Sequence, residues 1–388
     1  MKRQLLGVAA FMLALSAHAQ DNPLWMRYCA ISPDGTSIAF TYKGDIYTVP
    51  VNGGKAAQIT TNAAHDTHPV WSPDGKQIAF ASDRMGSMDI FVVDREGGIP
   101  KRLTTHSGNE TPVAFKDADH ILFLANVMPS AEDAQFPSGQ FQQVYEVSTT
   151  GDRPVMFSSM PMEDISINKT GNALLYHDKK GYEDPWRKHH TSSITRDIWL
   201  CSLDGKRSYR KLTSFNGEDR TPVWASDGKS FYYLSEEKGS FNVFKRALDG
   251  TSSTQLTHHT KHPVRFLTAA DNGTLCYGYD GEIYTMKEGT EPRKVQISIL
   301  TDKNDKDLIR QIRRNGATEI ALSPDAKEVA FILRGDVYVT SVEYKTTKQI
   351  TNTPEQERDI NFAPDGRSIV YASERNGLWQ IYQASLNK

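Results

Sequence analysis

A short turn signature recurs along the whole chain and restricts the folds open to it more than any other feature. It reads Ser32-Pro33-Asp34-Gly35, Ser72-Pro73-Asp74-Gly75, Ala225-Ser226-Asp227-Gly228, Ser323-Pro324-Asp325-Ala326 and Ala363-Pro364-Asp365-Gly366. Weaker copies lie at Lys169-Thr170-Gly171 and Asp271-Asn272-Gly273, and a degraded one at Lys116-Asp117-Ala118-Asp119. Pro presets φ for the second turn position, Asp tolerates the third, and Gly takes the φ > 0 position that closes a type I turn with a bulge. Such a turn joins two antiparallel strands.

The segments between turns repeat as well. A β-branched and aromatic strand follows each turn, as in Ile38-Ala39-Phe40, Ile78-Ala79-Phe80, Phe231-Tyr232-Tyr233 and Ile369-Val370-Tyr371. A third segment opens on a polar residue, as in Asp45-Ile46-Tyr47, Asp89-Ile90-Phe91, Asp197-Ile198-Trp199 and Asp336-Val337-Tyr338. A fourth ends in Leu/Ile-Thr, as in Gln58-Ile59-Thr60 and Arg102-Leu103-Thr104. Each unit is thus four short antiparallel strands in roughly 40–50 residues, the period of a β-propeller blade. A parallel β-helix needs shorter repeats, and a helical solenoid needs a 3.6-residue period that is missing here.

Between the sixth and seventh copies the rhythm breaks at a charged stretch, Thr301 to Asp307, followed by Leu308 to Gly316. The expectation is an all-β chain: a six-bladed β-propeller of four-stranded antiparallel blades over 20–298, a linker over 299–318, and the first two blades of an incomplete second propeller over 319–388. A single eight-bladed ring is the alternative.

Residues 1–19 read as a cleavable signal peptide. Lys2 and Arg3 precede an apolar run from Leu5 to Leu15, and Ala17-His18-Ala19 supplies a small-residue site for cleavage after Ala19. The run is short of the roughly 20 residues that span a bilayer, so a periplasmic or secreted protein without membrane insertion is expected. Lys+Arg 45 nearly cancels Asp+Glu 47, which argues against a nucleic-acid partner. Three widely spaced cysteines, Cys29, Cys201 and Cys276, read as buried thiols.

In a four-stranded blade the innermost strand lines the channel. The loops from the fourth strand to the next blade, and from the second strand to the third, share one face. The blade-to-blade loops carry His65-Asp66-Thr67-His68, His106 with Asn109-Glu110, Glu163-Asp164, Glu218-Asp219-Arg220, and His258-His259 with His262. The expected binding set at the channel mouth is His65, His68, Glu110, Glu218, Asp219, Arg220 and His262, suited to hydrogen-bonding an extended peptide. The alternative is a solvated set of turn residues. Insertions in the third and fourth units, the latter with Trp186, Arg187, His189 and His190, would build a rim. Charge-removing changes at Glu110, Glu218 and Arg220 are expected to weaken peptide binding without unfolding the ring.

His65, His68 and His262 lack the rigid spacing of a metal site, and no metal or cofactor is expected. The chain has no G-x-S-x-G elbow, H-E-x-x-H, phosphate-binding loop or dinucleotide fingerprint. Asp45, Asp89, Asp197 and Asp336 recur at one blade position and so read as structural hydrogen-bonding groups.

The segment Ser72 to Phe80, followed by Asp-Ile-Phe and a closing Leu-Thr, resembles the propeller repeat shared by TolB and the tricorn protease family. Met128-Pro129-Ser130 with Phe136-Pro137-Ser138-Gly139, and Tyr182-Glu183-Asp184 through Arg187 to Ser193 and on to Asp197-Ile198-Trp199, resemble exported tricorn-type serine peptidases. The resemblance implies a six-bladed ring acting as a substrate filter, then a seven-bladed ring, then a catalytic part. No position here matches the family's catalytic serine, histidine or acidic partner, so the length reads as set by truncation and the chain is expected to be inactive alone. The function implied is the substrate-gating, peptide-binding propeller portion of a tricorn-like peptidase. Its partners would be peptides or unfolded protein segments and other subunits of a peptidase assembly. The alternative is a stand-alone TolB-like periplasmic protein-binding scaffold.

Overall fold

The turn that repeats in the sequence is built from the same short hydrogen bonds at successive copies. At one copy the Ser72 hydroxyl donates to Asp74 Oδ1 (2.7 Å), which also accepts the Lys76 N–H (3.0 Å), while the Gln77 N–H donates to Ser72 Oγ (2.9 Å). Gly75, at φ 68, donates its N–H to the Ser72 carbonyl at 2.9 Å. The Ser72 hydroxyl and then the Lys76 N–H hold the Asp74 carboxyl below its usual range. This computed structural model describes residues 23–385 apart from 107, 127–140, 183–190, 300–312 and 345. Residues 1–19, expected to be a signal peptide, most of the third-unit insertion, most of the expected linker, and Trp186, Arg187, His189 and His190 lie outside the described residues.

The second and third strands of each unit meet through their aromatic residues. Phe80 lies directly opposite Phe91 with ring centroids 5.9 Å apart, and Phe40 opposite Tyr47 at 5.8 Å. Cross-strand aromatic pairs of this kind stabilise a sheet beyond their burial. The closing Leu/Ile-Thr has a separate use. The Ile90 N–H donates to Thr104 Oγ1 (2.9 Å), and the Thr104 hydroxyl donates in turn to the Glu110 carboxylate at the start of the next inner strand. One threonine thereby joins the third strand of one sheet to the first strand of its neighbour. The recurrent aspartates are structural, and their partners lie on the fourth strand: Gln58 Nε2 to Asp45 (2.8 Å), Arg102 to Asp89 (2.8 Å) and Lys211 to Asp197 (2.8 Å).

The chain divides into two compact units, Met1–Asn304 and Asp305–Lys388. In the first unit the described strands form six antiparallel sheets whose inner strands are Arg27–Ile31, Asp66–Trp71, Glu110–Phe115, Met162–Ile167, Asp219–Trp224 and Arg265–Ala269. Each inner strand packs beside the next and the last packs beside the first, so the sheets close into a ring, a β-propeller. Indole N–H groups tie neighbours together: Trp71 Nε1 donates to the Ala30 carbonyl and Trp224 Nε1 to the Ser166 carbonyl, both at 2.9 Å. Ile297–Ile299 then pairs in parallel with Gly54–Gln58, adding a fifth strand to the outer edge of the first sheet. That pairing covers an edge that would otherwise be open. The core lies between sheets, where Ile78, Ala79 and Phe80 are all 0% exposed.

The second unit has one four-stranded sheet, from Ala317–Leu322 to Thr347–Gln349, and one sheet with three described strands, Glu357–Phe362, Ser368–Ser373 and Gln380–Ser385. Their shared face is packed by Ala330, Ile332, Ile360 and Ile369, among others.

Candidate functional site

Five of the six inner strands are interrupted at the same point. Register shifts fall between Arg27 and Ala30, Thr67 and Val70, Glu163 and Ser166, Arg220 and Val223, and Arg265 and Thr268. At each shift one non-glycine residue adopts the left-handed conformation: Tyr28 (φ 51), His68 (φ 54), Asp164 (φ 49), Thr221 (φ 50) and Phe266 (φ 58). Pro112 occupies the equivalent register in the third sheet, beside that sheet's own bulge. Such conformations cost on the order of 1–3 kcal/mol each and persist where the surroundings over-determine them. A bulge re-aims the side chain it carries, and all six residues line one cavity of about 960 Å³ that touches every inner strand of the ring.

The six are not alike. On one arc the Tyr28 and His68 ring centroids are 3.7 Å apart, and the Phe266 centroid lies 4.8 Å from that of Tyr28. Gly278 permits this packing, because a Cβ there would come within 2.9 Å of the Phe266 ring. Burial pushes the His68 imidazole down to about 4, with the charge of Asp164 opposing. The ring is therefore neutral at physiological pH. Burial likewise raises the Tyr28 phenol.

The other arc is polar. The Thr221 hydroxyl donates to Asp164 Oδ2 (2.6 Å), and His177 Nδ1 lies 3.6 Å from the same oxygen. Behind them runs a network between the fourth and fifth sheets. Glu163 meets His177 Nε2 (3.2 Å) and Lys179 Nζ (2.7 Å), while Glu218 meets Arg196 (3.2 Å) and Arg220 Nε (2.7 Å). Burial alone would raise both glutamates. The His177 and Lys179 contacts outweigh it for Glu163, and Arg220 followed by Arg196 outweighs it for Glu218, so both carboxyls fall below the usual range.

The residues expected at the mouth are distributed differently. His68 reaches the channel. His65 is exposed, with its backbone N–H on Asp83 (2.7 Å), and His262 pairs with Asp280 (3.3 Å). Glu110, Glu218, Asp219 and Arg220 are buried, at 2%, 1%, 2% and 8% exposure. Glu110 and Asp219 begin inner strands, and that position lies in the seam between sheets rather than on the face. Burial pushes each up to about 7, against the hydroxyls of Thr104 for Glu110 and of Ser235 and Thr213 for Asp219. Their burial corrects the expected place of these four residues at an open mouth, and charge-removing changes at Glu110 or Glu218 are expected to act on the packing of the ring. Tyr28, Pro112, Asp164, Thr221 and Phe266 were missing from the expected set. They share one signal, a place five residues before the second position of the following turn, as Tyr28 is to Pro33 and His68 to Pro73.

Residues 23–292 match the tricorn protease N-terminal beta propeller domain family. The chain is 24% identical over 363 residues to tricorn protease homolog 1 of Streptomyces coelicolor, covering 92% of this chain and 32% of that protein. It is 25% identical over 332 residues to the tricorn protease of Thermoplasma acidophilum, covering 82% of this chain and 29% of that protein. It therefore spans about a third of the length of these relatives. The crystal structure of the tricorn protease superposes with a TM-score of 0.64 at 17% identity, over 94% of this chain and 36% of the other, which is a likeness of fold.

Proposed function

The chain belongs to the tricorn protease N-terminal β-propeller family, and from that premise we propose that its ring is a peptide-binding, substrate-gating element of a serine-peptidase assembly. One observation carries this reading: five strained non-glycine residues from five different sheets line a single channel. Strain at equivalent bulges is tolerated where a site is held. A cavity of about 960 Å³ is too narrow for a folded domain and suits a peptide or an unfolded protein segment. Further subunits of the peptidase would be the protein partners. We also propose export to the periplasm or beyond, supported by Lys2, Arg3, the apolar run to Leu15 and the cleavage pattern ending at Ala19.

The test is fluorescence anisotropy with labelled, unstructured peptides of about ten residues. The native protein should bind them, and Thr221→Trp, which narrows the channel, should weaken binding about tenfold or more, a change of roughly 1.4 kcal/mol, with an unchanged melting profile. Absence of binding, or binding indifferent to Thr221→Trp, would overturn the proposal.

A further inference from the structure

The second unit leaves open two faces that the same repeat buries elsewhere. Its sheets, the seventh and eighth in chain order, pack Ala330, Ile332 and Val337 of the seventh against Ile360, Ile369 and Tyr371 of the eighth. Side chains alternate between the two faces of a strand, so the residues between these belong to the far sides. On the seventh sheet Ile320 lies opposite Phe331 and Leu322 opposite Val329. On the eighth, Ile381 lies opposite Ala372, with Val370 on the same face.

The positions are interior ones by their place in the repeat. Ile381 stands between Gln380 and Tyr382 as Ile46 stands between Asp45 and Tyr47. Its counterparts in the other seven sheets, from Ile46 and Ile90 through to Ile283 and Val337, are 0% exposed, whereas Ile381 is 81% exposed. Ile320 stands three residues before its turn, a place held elsewhere by Ile165, Leu267 and Ile360. Those are 5%, 1% and 5% exposed, and Ile320 is 72% exposed. Single apolar residues on a surface are ordinary. A contiguous face made from interior positions marks an interaction site.

The two open faces are the two halves of the contact that the unit already makes. By place in the repeat, Val370, Ala372 and Ile381 correspond to Ala330, Ile332 and Val337, while Ile320, Val329 and Phe331 correspond to Ile360, Ile369 and Tyr371. The eighth sheet therefore turns outward the kind of surface on which it is itself seated, and the seventh turns outward the kind of surface that sits there. We infer that a second copy of this chain covers these faces, the seventh sheet of one copy packing on the eighth sheet of another as the eighth packs on the seventh within a copy. The contact joins unlike faces, so copies add head to tail until the arrangement closes. This inference does not depend on the peptide channel.

Sedimentation of the intact chain over about 1–100 µM should show a mass that rises with concentration. Ile320→Asp and Ile381→Asp each charge one face and leave the residues between the two sheets untouched, and each alone should weaken association about tenfold or more. Mixed in equal amounts, the two variants keep one intact pair of faces, Ile381 of the first against Ile320 of the second. They should recover a one-to-one complex that grows no further. Hydrogen exchange of the native chain gives a reading that needs no variant: amides of Ala317–Leu322 and Gln380–Ser385 should gain protection as concentration rises, and those of the ring should not. A native chain that stays monomeric over this range would overturn the proposal. Association that survives undiminished in either variant alone would also overturn it, by assigning the contact to like faces or to the outer strand edge of the eighth sheet.

Discussion

The two units are made from the same repeat, yet they bury it differently. In the ring, Ile78, Ala79 and Phe80 are all 0% exposed, because each sheet has a neighbour on both faces. In the second unit the equivalent Val329, Ala330 and Phe331 alternate: Ala330 is buried, and Val329 and Phe331 are half-buried. The cross-strand pair survives the change, with Phe331 and Tyr338 stacked at 5.5 Å as Phe80 and Phe91 are at 5.9 Å. Ile320 and Ile381, on opposite ends of the second unit's strand order, are 72% and 81% exposed. Hairpins and registers thus follow from local sequence, whereas burial follows from which sheets stand next to one another.

The largest expected effect comes from breaking that contrast directly. Phe80→Ala should cost the ring about 3–5 kcal/mol, the range for a fully buried phenylalanine. Phe331→Ala should cost the second unit roughly half as much, since part of that ring already faces water. Hydrogen exchange during denaturant titration, read separately for amides of each unit, measures both. Equal losses would mean that the two sheets bury their aromatic pairs alike.

What could be read from the sequence follows the same division. The turn chemistry of Ser72 to Gly75 and the alternation from Ile78 to Phe80 are local, so the strands and their order were legible. The left-handed bulges were not, because their residues share no side-chain property: Tyr28, His68, Asp164, Thr221 and Phe266 share only a backbone position. Glu110 and Asp219 misled for the converse reason. A carboxylate beside a loop reads as exposed, and only the next sheet shows that it closes a seam onto Thr104 or Thr213. The parallel pairing of Ile297–Ile299 with Gly54–Gln58 has no local signal at all, since it joins segments from the two ends of the ring.

The seams sharpen the comparison further. Glu110 in the ring accepts from Thr104, and Glu357 in the second unit accepts from Thr351 (2.9 Å) but also carries Arg375 (3.2 Å). Burial raises Glu110 from 4.5 to about 7, so the fold favours its protonated form. That stabilisation is complete below about pH 4.5 and is lost as the pH rises through about 7. Glu110→Gln, which imitates the protonated acid, should therefore melt higher than the native ring at pH 8 and converge with it toward pH 4.5. It should leave peptide affinity unchanged. Glu357→Gln removes the negative charge that faces the Arg375 guanidinium and should lower the second unit's stability at neutral pH. A loss of peptide binding in Glu110→Gln would return that residue to the site.

The smallest effect should be the same in both units, and equality is what it tests. Ser72 and Ser323 each donate to the aspartate two residues on at 2.7 Å, and Asp74 and Asp325 each accept the N–H of Lys76 or Lys327, at 3.0 and 3.1 Å. In both turns the serine hydroxyl, then the lysine N–H, lowers the aspartate below its usual range. These contacts involve only the turn itself, so neighbouring sheets should not matter. Asp74→Ala and Asp325→Ala should lower the unfolding free energy of their own units equally. The melting shift should still be larger in the second unit, because a smaller unit has a smaller unfolding entropy. A lowered carboxyl contributes its stability above the unfolded value and loses it as pH falls through the folded one. Each variant should therefore differ from the native protein at neutral pH and merge with it in acid. If Asp74→Ala costs the ring clearly more free energy than Asp325→Ala costs the second unit, the turn is coupled to the packing of the ring, and the division between local hairpin and neighbour-determined burial fails at its simplest element.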